Sequence, residues 1–281
     1  MSKYLNIKSL LQAKDSLSEE NFKGFLKHYG IEVRGAEIED LRALVNAVNG
    51  VGCRIGALDR FYVSYKIPQI GKEFDLLRFS EKSIINIELK RKSTEEKIKK
   101  QLVRNQYYLS FIGRNVYAFT YVSESNELYF LRDNDQLEKT KIEHLIKLLS
   151  NQEVITSESP DTLFEPSDYL VSPFNSTEKF LSEKYFLTKQ QEEIKNDIIN
   201  SLTSSKKAIF ISIIGSAGTG KTLLAYDIVM HMMQHKKKPL IIHCGILNRG
   251  HTVLIENGWT ITPIKTYGNY DFANYDLIVI D

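Results

Sequence analysis

Eight residues, Gly215-Ser216-Ala217-Gly218-Thr219-Gly220-Lys221-Thr222, fit G-x-x-x-x-G-K-[ST] at every fixed position. Each residue type has a task at a polyphosphate. Gly215, Gly218 and Gly220 let backbone N–H groups curl around phosphate oxygens, Lys221 neutralises the terminal phosphates, and Thr222 offers its hydroxyl to Mg²⁺. The flanks suit this use. Ala208-Ile209-Phe210-Ile211-Ser212-Ile213-Ile214 reads as a buried strand, and Leu224, Ile228 and Met232 recur at steps of four in a helical pattern from Lys221 to about Gln234. About sixty residues beyond the glycine loop, the apolar run Asp276-Leu277-Ile278-Val279-Ile280 leads to Asp281, a carboxylate placed to share the metal. The expectation is a nucleotide-binding site that also takes Mg²⁺.

A second group of residues suits phosphodiester chemistry. Glu73-Phe74-Asp75-Leu76-Leu77-Arg78-Phe79 and Ile84-Ile85-Asn86-Ile87-Glu88-Leu89 read as strands about four residues apart, which predicts a hairpin. Residues two apart in a strand face one side, so Glu88 and Lys90 project together, and the hairpin brings Asp75 beside them. Two carboxylates hold Mg²⁺, which lowers the pKa of a bound water, and a lysine orients or deprotonates that water. This pattern resembles the active site of the PD-(D/E)xK, or restriction-endonuclease-like, nuclease superfamily. The resemblance covers about residues 36–131, where the order helix, three strands, helix, strand also matches. It implies Asp75 and Glu88 as metal ligands, the Leu89 carbonyl as a third, Lys90 as the catalytic lysine, and DNA or RNA as the substrate. Gln69-Ile70-Gly71-Lys72-Glu73-Phe74 precede Asp75 without the namesake proline of the family. Some members carry a Gln and a Tyr on the next helix at Q-x-x-x-Y spacing. Here Gln101 and Tyr108 lie seven apart, and position 105 is Asn. Glu37 stands where some members place a further acidic ligand, with a solvated helix glutamate as the alternative.

Leu187-Thr188-Lys189-Gln190-Gln191 resembles the L-T-x-x-Q segment of superfamily 1 helicases. That likeness implies Gln191 as the reader of the adenine edge, with Gln190 in reserve; a glutamine amide matches the donor and acceptor of adenine N6 and N7. The stretch from about Ser172 to Asp281 resembles the start of a Schlafen group 3-like helicase domain, which implies Asp281 as the acidic residue of a Walker B strand. The glutamate and arginines that such motors use for turnover do not appear up to Asp281. A truncated motor that binds nucleotide weakly and hydrolyses it negligibly is therefore expected.

The elements that must position these residues fall into two groups. Residues 1–50 read as helical, with Ile38, Leu41, Val45 and Val48 on one face. Strand-like runs follow at 61–65, 73–79 and 84–89, then a helix opened by a Ser93/Glu96 capping box, then strands at 116–122 and 127–131 and a short helix at 142–149. This gives a nuclease-like domain over 1–150. Pro160, Pro166 and Pro173 mark a connector at 151–184, where Tyr169, Leu170, Phe174 and Phe180 suggest packing along a surface rather than a tether. Residues 185–281 alternate strand and helix, as a parallel sheet with crossover helices does. The fold class expected is α/β: a restriction-endonuclease-like mixed domain, then a truncated P-loop parallel-sheet domain.

The 281 residues carry a net charge of only +2, so overall charge does not single out a nucleic-acid partner. Locally, Lys82, Lys90, Arg91, Lys92, Lys97, Lys99, Lys100 and Arg104 outnumber Glu88, Glu95 and Glu96, as phosphate contact requires and as a solvated helix face also allows. Cys53 and Cys244 indicate neither a disulfide framework nor a zinc site, and the six histidines show no ligand spacing. No signal-peptide core or membrane-length apolar run is present, so the cytoplasm is the default location. Two other functions compete: a nucleic-acid-binding ATPase whose nuclease fold is inert, and a signalling NTPase or small-molecule kinase.

Overall fold

Most of the chain's β-branched and aromatic alternation lies before residue 131, and there it builds one mixed sheet. The strands, in a computed structural model, are β1 (Tyr62–Lys66), β2 (Glu73–Phe79), β3 (Ser83–Lys90), β4 (Asn115–Val122), β5 (Glu127–Leu131) and β6 (Leu137–Thr140), paired in that order across the sheet. Every pairing is antiparallel except β3 with β4. The structure describes residues 3–52, 56–68, 70, 72–153, 159–204 and 207–281; Cys53, Gln69 and Gly71 lie outside them. The chain divides into two units, Met1–Asp168 and Tyr169–Asp281, so the boundary falls inside the expected connector.

Helices cover both faces of the first sheet. Helices α1 (Ile7–Ser16), α2 (Glu19–Tyr29), α3 (Gly35–Gly50) and α5 (Ile142–Asn151) share one core with Ile85, Ile87, Phe119 and Tyr121. Helix α4 (Glu95–Ser110) packs Ile98 and Leu102 on the other face, against Ala118, Val122 and Leu131. Helix α4 is also the crossover that the parallel β3–β4 pair demands, since parallel neighbours cannot be joined by a tight turn. Its cap sits one residue later than the sequence suggests: Thr94 Oγ1 accepts the Lys97 N–H at 3.4 Å. Strand β6 was not legible in sequence. Its residues Leu137-Glu138-Lys139-Thr140 lack apolar alternation, and Arg132–Glu138 and Lys139–Glu127 ion pairs bind it to its neighbour.

The second unit has a three-stranded parallel sheet: β7 (Pro239–His243), β8 (Ile261–Pro263) and β9 (Leu277–Ile280), in the order β8-β7-β9. Helix α6 (Pro166–Tyr169) spans the division between the units, and the second unit also holds α7 (Thr177–Leu181), α8 (Lys189–Ser204), α9 (Lys221–Gln234) and α10 (Arg249–Glu256). One expectation fails. Residues 208–214 form no strand, and Phe210 and Ile214 are 101% and 92% exposed. A strand requires a ladder partner, and among the described residues none pairs with this segment; a cleft of about 400 Å³, lined by Ile209, Ile211 and Ile213 and by Leu277 and Val279, lies between it and β9. Among the described residues, no helix is long and apolar enough to cross a membrane.

The second half of the expected connector belongs to the second core. Phe180 is fully buried, 5.4 Å from the Tyr185 ring and 5.7 Å from the ring of Trp259, the single tryptophan. At the start of α10 the Phe174 backbone approaches so closely that a Cβ on Gly250 would stand 2.1 Å from the Phe174 carbonyl oxygen. Gly250→Ala is therefore expected to destabilise this unit by about 1–3 kcal/mol. A denaturation curve followed by Trp259 fluorescence checks this, and an unchanged midpoint would show that the 174–250 contact yields freely.

Candidate active site and nucleotide site

In the first unit the register Leu76↔Ile87 between β2 and β3 sets Asp75 directly opposite Glu88. Opposed residues share a sheet face, so both carboxylates lie on the side covered by α4, with Lys90 two residues further along the same face. Asp75 Oδ2 accepts the Leu89 N–H at 2.7 Å. Glu88 is 1% exposed and enclosed by amides. Its Oε1 accepts from Asn86 Nδ2 at 3.1 Å and Asn105 Nδ2 at 2.8 Å, while its Oε2 accepts from Gln101 Nε2. Asn105 Nδ2 also reaches Asn86 Oδ1 at 2.8 Å.

Burial, and then the Glu88 charge beside it, push the Asp75 carboxyl up to about 7, against the opposing pull of Lys90 and the Leu89 N–H. The pair therefore resists carrying two negative charges, which is the condition a divalent cation relieves. Lys72 joins the group. Its ammonium is driven below the usual lysine range, first by burial, with Arg104 and Lys90 adding to this and Glu88 and Asp75 opposing it. Among the described residues no three His, Cys, Asp or Glu side chains cluster to hold a metal. A hard cation would rest here on Asp75 and Glu88, completed by backbone oxygen or water.

The sequence reading overlooked three residues of this group. Asn86 and Asn105 are fully buried polar residues in otherwise apolar patterns, and that contrast was the available signal. Lys72 gave none, because the short turn that carries it has no periodicity. Among the supporting residues, Gln101 reaches Glu88, Tyr108 is buried, and Asn105 supplies the second contact from α4. Glu37 is exposed; its Oε2 accepts the Arg34 N–H at 2.8 Å, and it raises the Asp75 pKa only as the smallest contributor. Lys97, Lys99 and Lys100 are exposed on α4.

In the second unit, Gly220, at φ 77°, precedes α9, whose first residues are Lys221 and Thr222. Lys221 Nζ donates to the carbonyls of Gly215 at 2.9 Å and Ser216 at 2.7 Å, closing the loop on itself. The β7–β9 ladder runs on through Asp281, whose N–H donates to Ile242 and whose carbonyl accepts from Cys244. That placement brings Asp281 Oδ1 to 3.0 Å from Thr222 Oγ1. The hydroxyl and carboxylate that the sequence separates by fifty-nine positions are thus adjacent hard-oxygen donors, the kind Mg²⁺ takes.

Gln191 stands at this loop with its amide engaged at both ends. Oε1 accepts the Thr188 N–H at 2.8 Å and Nε2 donates to the Thr219 carbonyl at 3.0 Å. A Cβ on Gly220 would lie 2.6 Å from that Nε2, so Gln191 presses on the loop and ties it to Thr188. Among the described residues Gln190 makes no such contact. Beside Asp281 lie two histidines without ligand spacing in sequence. His243 Nδ1 is 3.8 Å from Asp281 Oδ2, and burial pushes His251 down to about 4, with His243 adding to the shift.

No protein-family profile, no curated protein and no solved structure matches this chain.

The Asp75 shift carries a sign that can be measured. Its folded pKa lies above the unfolded value near 3.9, so the protonated fold is favoured, and the contribution is fully present below about pH 4 and lost as pH rises through about 7. Asp75→Asn keeps the acceptor for the Leu89 N–H and removes the titration. Wild type should lose roughly 2–4 kcal/mol more stability than Asp75→Asn between pH 4 and pH 8, read as the difference of their urea unfolding curves. Parallel pH profiles would mean that neither burial nor Glu88 raises Asp75.

Proposed function

We propose that this chain is a nucleic-acid-processing protein. Its first unit is a Mg²⁺-dependent, PD-(D/E)xK-type nuclease domain, and its second is a helicase-type ATP-binding domain of the P-loop kind. The observation that carries the first half is the direct opposition of Asp75 and Glu88 on one sheet face, with Lys90 beside them. A bound Mg²⁺ would polarise the scissile phosphate and acidify a water there. The chain's own residues do the rest. Asn86, Gln101 and Asn105 fix the Glu88 carboxylate, and the Leu89 N–H fixes Asp75. Lys90 and Lys72 set positive charge where a phosphodiester would gather negative charge.

The second half rests on the Thr222–Asp281 contact at the start of α9. Lys221, now on loop carbonyls, would exchange them for terminal phosphate oxygens, with α9's N-terminus and the glycine-loop amides completing the cradle. Binding of ATP–Mg²⁺ is the activity these residues support.

One observation favours a second reading, an inert nuclease fold that grips backbone. Glu88 is almost wholly enclosed, and a ligand role requires Gln101 to yield an oxygen to the metal. A single-turnover cleavage assay with Mg²⁺ or Mn²⁺ separates the two. Under the leading reading Lys90→Ala lowers cleavage by at least about 10²-fold, while nucleic-acid affinity changes little. Cleavage that never rises above background in wild type would leave the inert reading. In the second unit Lys221→Ala should weaken ATP–Mg²⁺ binding more than about tenfold by calorimetry, with the Trp259 unfolding curve unchanged.

A further inference from the structure

Three buried polar atoms of the second unit converge near one carboxylate. His243 Nδ1, His251 Nε2 and the Tyr226 hydroxyl are buried with no hydrogen-bond partner among the described residues. His243 Nδ1 lies 3.8 Å from Asp281 Oδ2, and Tyr226, fully buried, is held above the usual phenol range by burial and by the charge of Asp281. Buried polar groups are rarely left unmatched, so such a gathering at one acid marks it as a place where precise orientation matters.

The packing behind the two imidazoles is close. His251 is 1% exposed, and its ring lies 4.1 Å from Phe174, stacked, and 4.4 Å from His243. The other nitrogen of His251, Nδ1, is engaged with Asn248 at the start of α10, at 3.0 Å from the Asn248 N–H. Phe174 also meets His243 at 5.5 Å and Tyr226 at 5.0 Å. His243 ends β7, the strand whose ladder places Asp281, so ring and carboxylate are set by the same backbone pairing.

Asp281 thus has two sides. Oδ1 takes the Thr222 hydroxyl, and Oδ2 faces His243. We propose that His243, braced by His251 and Phe174, is a positioning residue for Asp281. It faces Oδ2 with Nδ1–H across the 3.8 Å gap and attracts it electrostatically, so that Oδ1 stays beside Thr222 for the nucleotide's metal. Partners of this kind orient ligating groups, and their loss typically costs about 10–100-fold in metal affinity. The consequence for metal rests on the nucleotide reading given above; the hold of His243 on Asp281 does not.

Two measurements on the full 281-residue chain decide it. ATP affinity is read by calorimetry with and without Mg²⁺ for wild type, His243→Ala and His243→Asn. His243→Ala should reduce the Mg²⁺-dependent gain about tenfold and leave Mg²⁺-free affinity within about twofold, and His243→Asn, whose amide can donate from the Nδ1 position, should restore most of the gain. Equal losses with and without Mg²⁺, or no loss at all, would overturn the proposal. The second measurement needs no nucleotide: ¹⁵N NMR of His243 should show the proton on Nδ1 in wild type and a move toward Nε2 in Asp281→Ala, which leaves no acceptor there. An identical tautomer in both proteins would also overturn it. If wild type binds no ATP, the nucleotide reading fails, and the tautomer alone still settles whether His243 holds Asp281.

Discussion

The parallel pairing of β3 with β4 governs the first unit. It forbids a tight turn after Lys90 and forces the chain through a crossover helix. That helix, α4, must cover the face on which Asn86, Glu88 and Lys90 project, and it brings Gln101 and Asn105 to the Glu88 carboxylate. The antiparallel β2–β3 register then sets Asp75 opposite. One topological constraint therefore assembles two acids, three amides and a lysine at a single sheet end. The enclosure that raises Asp75 also makes Glu88 hard to reach, so charge pressure and access pull in opposite directions at the same site.

The second unit uses a parallel ladder to a similar end. Continuation of β7–β9 pairing by one step carries Asp281 to Thr222 on one side and to His243 on the other. The glycine loop makes its own closure, with Lys221 on loop carbonyls and Gln191 on the Thr219 carbonyl. A single side chain, Gln191, thereby links the start of α8 to the glycine-loop backbone, and any rearrangement of that loop must first release or carry this amide.

Periodicity made the hairpin, the helices α3, α4 and α9, and the alternating second unit legible in the sequence. Asp75, Glu88 and Lys90 followed from strand alternation plus a short turn, because both are local rules. What stayed hidden was relational. Asn105 and Asn86 gain their role only when a helix and a strand meet, and His243 and His251 meet only through packing on Phe174. The 208–214 run misled for the opposite reason. Its composition satisfies every local criterion for a buried strand, yet strand formation depends on a neighbour, and among the described residues none pairs with it. The capping residue of α4 differed by one position because Ser93 and Thr94 are both competent caps and only backbone geometry chooses between them.

That same run has a colloidal consequence. Ile209, Phe210, Ile211 and Ile214 are exposed in one short stretch free of charge and proline, beside the outer edge of β9, where Ile280 is 70% exposed. Unpaired backbone groups and bare β-branched side chains together form a template for strand addition from another molecule. At high concentration this chemistry favours intermolecular cross-strand association, which a net charge of only +2 does little to oppose. A lysine in place of Phe210, where nothing is packed, introduces the kind of gatekeeper that natural edge strands use.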